Sequence, residues 1–293
     1  MRMKLRGMLM LLTAAFFWGT TFVAQLSGMA ELGPFSYASA RYFLGFLSLA
    51  AVWFFQRRER DRLQRLGKYH SGFIAGLGSG FIMFIASSLQ QISLLYTTAG
   101  KAAFITCLYI VFVPLGAVLL GKLIRRENWL GAFTALFGLY LLAVSEGFSL
   151  QFGDVILFIS SFFWTAQILF IDRFAAKVDV IELSTAQLFV CFALSSLVMT
   201  LFETPTASAM FEAWFQIAYA GILSAGVAFT LQIYGQKYVE PSAAAILMSF
   251  ESVFGALSGW AILGEVMSSR EICGCALMFA GMIITQLKLT RGR

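Results

Sequence analysis

SAAAILMSFESVFGALSGWAILGE, residues 242–265, is an apolar run long enough to cross a bilayer, with one acid, Glu251, in its middle. Glu251 lies nine residues past Ser242, about 14 Å along a helix, close to the midplane of a roughly 30 Å hydrocarbon core. An ionised carboxylate at that depth is costly unless it is paired, protonated or wet, so the position marks a functional site facing a cavity. A transport pathway is the natural setting for such a group.

The whole chain shares the character of this run. Its 293 residues are 59% hydrophobic and only 12% charged, with 31 Phe and a mean hydropathy of +0.81, against a soluble norm of about 45–50% apolar and 25% charged. No Pro-, Gly- or Ser-rich linker divides it, so it reads as a single all-α integral membrane domain. The net charge of +6 does not point to nucleic acid, because the Lys and Arg residues fall in gaps between apolar runs and form no basic face. Cys107, Cys191, Cys273 and Cys275 lie inside apolar runs without CxxC or Cys/His spacing, and read as small packing residues. With His70 the lone histidine, in a cationic loop, neither a metal centre nor a Ser-His-Asp triad can be assembled. No GxxxxGK[ST] motif occurs, so ATP-driven transport is not expected, and no cofactor is called for.

Working outward from residues 242–265, ten apolar runs suit membrane helices: 7–27, 34–55, 72–95, 99–121, 128–145, 153–171, 183–202, 214–234, 242–263 and 272–288. The first is too long for a secretory signal and lacks an A-x-A-like cleavage site. If the gaps alternate between sides, eighteen of the twenty-one Lys and Arg residues share the side of the N-terminus, leaving Lys101 and Arg270 opposite and Arg41 within the second run. Both termini are then cytoplasmic.

The second half of the chain, slid back by 142 to 146 residues, falls on the first. Phe16-Phe17-Trp18 meets Phe162-Phe163-Trp164, and Leu89-Gln90 through Tyr96 meets Leu231-Gln232 through Tyr238. Leu120-Gly121-Lys122 meets Leu263-Gly264-Glu265, and Gly131 and Gly138 meet Gly274 and Gly281. Two repeats of five helices each, residues 1–146 and 147–293, must have opposite orientations, the inverted-repeat plan of secondary transporters with a site between the halves.

FFWGTTFV at residues 16–23 and FESVFGALSGWAILGE at residues 250–265 carry a resemblance over the whole chain to the drug/metabolite transporter superfamily, specifically its ten-helix EamA-type members. Ser252 stands where many relatives carry proline, and Lys122 where the first-half copy often has glutamate. The resemblance implies a multi-pass carrier of the bacterial inner membrane, commonly an exporter of amino acids, other metabolites or toxic small molecules, binding substrate between the halves.

The pathway candidates are Glu251, Arg41, Trp18, Trp164, Gln90, Gln232 and Tyr109. Glu251 is the proton-coupling candidate, since loss of solvation favours a neutral carboxylic acid. Arg41, about 10 Å below the outer surface, either snorkels to that surface, neutralises Glu251, or holds the carboxylate of an anionic or zwitterionic substrate. Trp18 and Trp164 occupy equivalent repeat positions midway along their helices, away from the interfaces tryptophan prefers, and either wall a cavity or pack helices. Gln25, Gln90, Gln91, Gln167, Gln187 and Gln232 need polar partners inside the membrane and together point to a polar lumen. Gly72-xxx-Gly76-xxx-Gly80 and Gly255-xxx-Gly259 allow close helix packing within one chain, with dimerisation second, so a monomer or a homodimer is expected. The cationic segment 56–70 meets anionic headgroups. The alternative to a secondary carrier is a membrane-embedded enzyme or lipid-handling protein using Glu251 as acid or base, for which Arg41 is the one strong polar companion in the sequence.

Overall fold

The computed structural model describes residues 2–29, 32–65, 67, 70–97, 99–144, 151–263 and 267–287. Gly264 and Glu265 of the opening stretch, Lys68, residues 145–150 and residues 288–293 lie outside them. The described residues are helical apart from connections and one isolated β-bridge between His70 and Val178.

In chain order the helices are α1 (Arg2–Met29), α2 (Pro34–Arg65), α3 (Phe73–Ser93), α4 (Ala99–Thr106), α5 (Tyr109–Leu119), α6 (Arg126–Ala143), α7 (Phe152–Phe174) and α8 (Val180–Phe202). The short α9 (Ala207–Glu212) leads to α10 (Trp214–Tyr219), a π-helix (Ala220–Ala228), α11 (Phe229–Gln236), α12 (Pro241–Met248), α13 (Phe250–Leu263) and α14 (Ser269–Gln286). Helical stretches lie over all ten apolar runs, and among the described residues seven segments are long and apolar enough to cross a membrane. Helices are the solution such sequence demands, because in hydrocarbon each backbone N–H and C=O has to be satisfied within its own segment. Starts are marked by polar caps: Asp179 accepts from the Glu182 backbone N–H at 2.9 Å, and Ser268 with Glu271 forms a capping box on α14.

Large apolar side chains point outward along these helices, among them Phe43, Leu47, Phe81, Phe137, Leu197 and Phe279. Polar side chains point inward. Among the described residues, thirty-one buried polar or charged side chains inside an apolar exterior invert the soluble pattern and suit a lipid surround.

Glycines bring the helices together. Gly72, Gly76 and Gly80 of the α3 face lie against α8, where added Cβ atoms would meet the Leu183 backbone N at 2.7 Å, the Leu183 carbonyl at 2.5 Å and the Gln187 carbonyl at 2.7 Å. Gly131 and Gly138 of α6 lie against Gly281 and Gly274 of α14, each Cβ reaching the opposite carbonyl at 2.6 Å. Rising numbers in one helix meet falling numbers in the other, so α6 and α14 cross antiparallel. The contact is self-complementary, because Gly131 corresponds to Gly274 and Gly138 to Gly281 along the chain.

Other packing follows the same pairing. Gly7 of α1 lies on Gly235 of α11 and Gly153 of α7 on Ser93 of α3, with Cβ-to-carbonyl approaches of 2.9 and 2.8 Å. Likewise α1 packs on α13 as α7 packs on α4 and α5, and α2 packs on the π-helix as α8 packs on α3. Residues at opposite ends of the bundle tie these elements. At one end the Glu203 carboxylate accepts from the backbone N–H of Phe35 (2.9 Å) and Ser36 (2.7 Å) and from the Ser36 hydroxyl, while Lys101 and Thr97 hold Asp154. At the other end Glu182 accepts from the Gly72 N–H at 2.9 Å, Lys122 pairs with Asp172 and Arg125 with Glu240.

Candidate functional site

Two of the apolar runs are broken helices, and their breaks face each other. In the run at 99–121 the helix is interrupted at Cys107 and Leu108, where Leu108 and Ile110 donate to carbonyls only three residues back. Pro114 contributes locally, since it has no N–H to offer the Ile110 carbonyl. In the run at 242–263 the interruption is at Ser249, with Ser252 donating to the Ser249 carbonyl at 3.1 Å. No proline is present in residues 242–263, and Ser252 sits three residues past the break.

Glu251 lies in the first turn of α13, after that break, and is 8% exposed. Its Oε1 receives the Tyr109 hydroxyl at 3.3 Å and the Cys107 thiol at 3.3 Å, and Cys107 also lies 3.5 Å from the Ser252 hydroxyl. Cys107 is therefore more than a packing residue, correcting the sequence expectation. Its local signal was weak, because a cysteine in an apolar run carries no mark of its partner. The other cysteines differ among themselves: Cys191 is buried with its thiol toward the Gly80 carbonyl, and Cys273 is exposed.

A cavity of about 70 Å³ opens beside Glu251, and all seven sequence candidates line it. Trp164 donates its indole N–H to Gln90 Oε1 at 2.8 Å. Gln232 donates to Gln167 Oε1 at 3.0 Å. The Phe229 ring neighbours both tryptophans, 5.0 Å from Trp18 and 6.1 Å from Trp164, parallel to the latter within 9°. Of the remaining glutamines, Gln25, Gln91 and Gln167 line the cavity, whereas Gln187 accepts from the Ser79 hydroxyl at 2.6 Å and ties α8 to α3.

Arg41 departs from two of its three sequence readings. It is 6% exposed, so it does not snorkel outward, and no ion pair joins it to Glu251 among the described residues. Its guanidinium donates to the Tyr42 hydroxyl at 3.0 Å and lies over the Tyr42 and Tyr37 rings at 4.6 and 5.8 Å, leaving Nε buried without a partner. The planar cation stacks where an ion pair was expected because two tyrosines on its own helix offer ring faces within reach. Tyr42 belongs to a cluster with Leu188, Cys191 and Phe229, and Tyr109 to another with Met248 and Val253. Trp18 and Trp164 pack against both. The tryptophan pair thus stands between a cationic and an acidic end of one cavity.

Sequence reasoning passed over Phe229, Tyr42, Ser87, Thr106 and Ser224, which also line the space. Small hydroxyl residues and phenylalanines occur throughout the apolar runs, so nothing in their type distinguishes these positions.

The EamA-like transporter family matches the chain twice, over residues 5–144 and 151–287. An uncharacterized transporter of Archaeoglobus fulgidus is 28% identical over 283 residues, covering 94% of this chain and 84% of its own length. An uncharacterized transporter of Bacillus subtilis, YoaV, is 21% identical across 97% of this chain and 98% of its own. A solved crystal structure aligns over 95% of both chains with a TM-score of 0.76 at 22% identity, a likeness of fold.

Proposed function

Since this chain belongs to the EamA-like transporter family, we propose that it is a secondary active carrier that exports a small metabolite, an amino acid or a related compound, or a drug, by alternating access. The observation that carries this reading is the cavity between two broken helices, where Arg41 and Glu251 face one space without pairing with each other. A cation and an acid left apart in a low-dielectric cavity are both available to a solute, an anionic group at Arg41 and an amine or a proton at Glu251. Trp18, Trp164 and Phe229 offer ring faces to an apolar or cationic part of that solute. Gln90, Gln232 and Tyr109 supply polar contacts along the same wall.

In this reading the ten helical stretches are ten spans arranged as two inverted repeats, residues 1–146 and 147–293. The self-complementary crossing of α6 with α14 and the two family matches support it. The cationic gaps support a multi-pass protein of the bacterial inner membrane with both termini in the cytoplasm. Glu251 is the proton carrier, exchanging a proton for substrate across the cycle. The membrane-enzyme alternative gains Cys107 and Tyr109 as polar neighbours of Glu251, but the family match favours transport.

An export screen over amino acids, nucleobases and cationic drugs in overproducing cells identifies the substrate. Proteoliposomes with an imposed pH gradient then test the coupling. Uptake driven by the gradient in the native chain and abolished in Glu251→Gln is expected, whereas transport indifferent to both the gradient and the substitution overturns proton coupling at Glu251.

A further inference from the structure

The repeat pairs Trp18 with Trp164 and Gln90 with Gln232. In one combination the pairing is satisfied: the Trp164 indole N–H donates to Gln90 Oε1 at 2.8 Å. The repeat-equivalent bond would run from the Trp18 indole N–H to Gln232 Oε1, and these two atoms are both buried without any partner. A donor and an acceptor of matching chemistry are thus left unpaired in one of the two equivalent cross-repeat combinations, on side chains that line the same cavity, while their counterparts bond in the other. Buried polar groups are rarely left so, because each forgoes its hydration without return.

A second asymmetry points the same way. Phe229 lies parallel to Trp164 within 9° but tilted by 53° to Trp18. The repeat counterpart of Phe229 is Ser87, so one ring serves two equivalent tryptophans. It can lie flat against only one of them at a time.

Resting on the alternating-access reading above, we infer that the two tryptophan–glutamine bonds are exchanged in the transport cycle. In the state described here Trp164–Gln90 is closed and Trp18–Gln232 is open. In the opposite-facing state Trp18–Gln232 closes, Trp164–Gln90 opens and Phe229 turns its face to Trp18. The exchange makes the cavity wall bistable, since both arrangements contain one bond and one flat ring pair, and substrate or proton binding at the cavity biases the choice. Trp18, Trp164, Gln90 and Gln232 are then positioning residues for the conformational step, whatever contact each makes with substrate.

Hydrogen exchange of the full chain in lipid nanodiscs tests this, read at the two ends of the bundle: the start of α2, held by Glu203, and the start of α3, held by Glu182. Gln90→Leu is expected to raise exchange at one end and lower it at the other, on the order of fivefold for one buried hydrogen bond. Trp164→Phe, which keeps the ring and loses the N–H, should do the same and guards against misfolding of the leucine variant. Adding Gln232→Leu or Trp18→Phe to either should reverse the shift. If the first pair moves the ends oppositely but the second fails to reverse it, bond exchange is wrong and alternating access stands. If no variant moves the two ends in opposite senses, bond exchange is overturned, and alternating access is decided by the proteoliposome transport measurements alone.

Discussion

Glu251 is held by two donors on one oxygen, Tyr109 and Cys107, each at 3.3 Å. Losing either donor leaves Oε1 with the other, whereas losing both leaves a buried carboxyl oxygen bare. Each single change, Tyr109→Phe or Cys107→Ala, should therefore cost about 1 kcal/mol, and the double variant should cost more than the two together by roughly another 1 kcal/mol. Thermal unfolding in detergent reads this, and strict additivity of the three Tm shifts would contradict the shared-oxygen geometry. Arg41 is held differently, by a ring face and a hydroxyl from Tyr42. Lysine keeps the charge but not the planar fork, so Arg41→Lys should lower transport about tenfold if anion binding at this site depends on guanidinium geometry. Unchanged kinetics in proteoliposomes would show that charge alone suffices.

At the scale of elements, the glycine that must stay glycine where α1 crosses α13 is Gly19. A Cβ there would meet the Gly255 backbone N at 2.7 Å and the Phe254 Cβ at 2.8 Å, while a Cβ on Gly255 finds only the Gly19 carbonyl at 3.6 Å and its Cα at 4.0 Å. Gly19→Ala should destabilise by about 1–3 kcal/mol through forced separation of the helices, and Gly255→Ala should be near neutral. Equal Tm losses for the two would refute the crossing geometry. The pattern in the sequence pointed to Gly255 and Gly259, because spacing reveals a small-residue stripe but not which member meets backbone. The same limit applies to the breaks. Pro114 announces irregularity near Cys107, yet nothing at Ser249 announces the interruption that precedes Glu251, and the π-helix at Ala220–Ala228 has no local signal beyond Gly221 and Gly226. By contrast, polar residues in apolar runs were informative, since burying them in lipid is costly and only an interior position relieves that cost. That is why Arg41, Gln90, Gln232 and Glu251 line one cavity although they come from four separate runs.

For the whole molecule, the arithmetic of spans decides which side each end occupies. Seven segments meet the length and composition expected of a membrane helix, and α1, α6 and α14 supply the rest of the ten helical stretches. Both α6 and α14 have 18 residues, about 27 Å of helix against a core of roughly 30 Å. They are short, but each buries its glycines against the other, and Glu127 and Glu271 in their first turns fit places near the membrane edge. If both cross, the count is even and the two termini share a side. If this pair lay on the surface, the count would still be even, but α7 would then start on the side of Lys122, Arg125 and Arg126, which puts Asp172 opposite Lys122 and brings Glu203 to the side of Lys122, against the opposite-end ties of Lys122–Asp172 and Glu203–Ser36. Reporter fusions that are active on one side of the membrane only, placed before Arg2, after Leu123, within residues 145–150 and after Leu287, should divide three to one: the first, second and fourth cytoplasmic, the third outside. A cytoplasmic signal from the fusion at 145–150 would remove α6 from the spans, and with it the self-complementary crossing that supports the proposed inverted repeat.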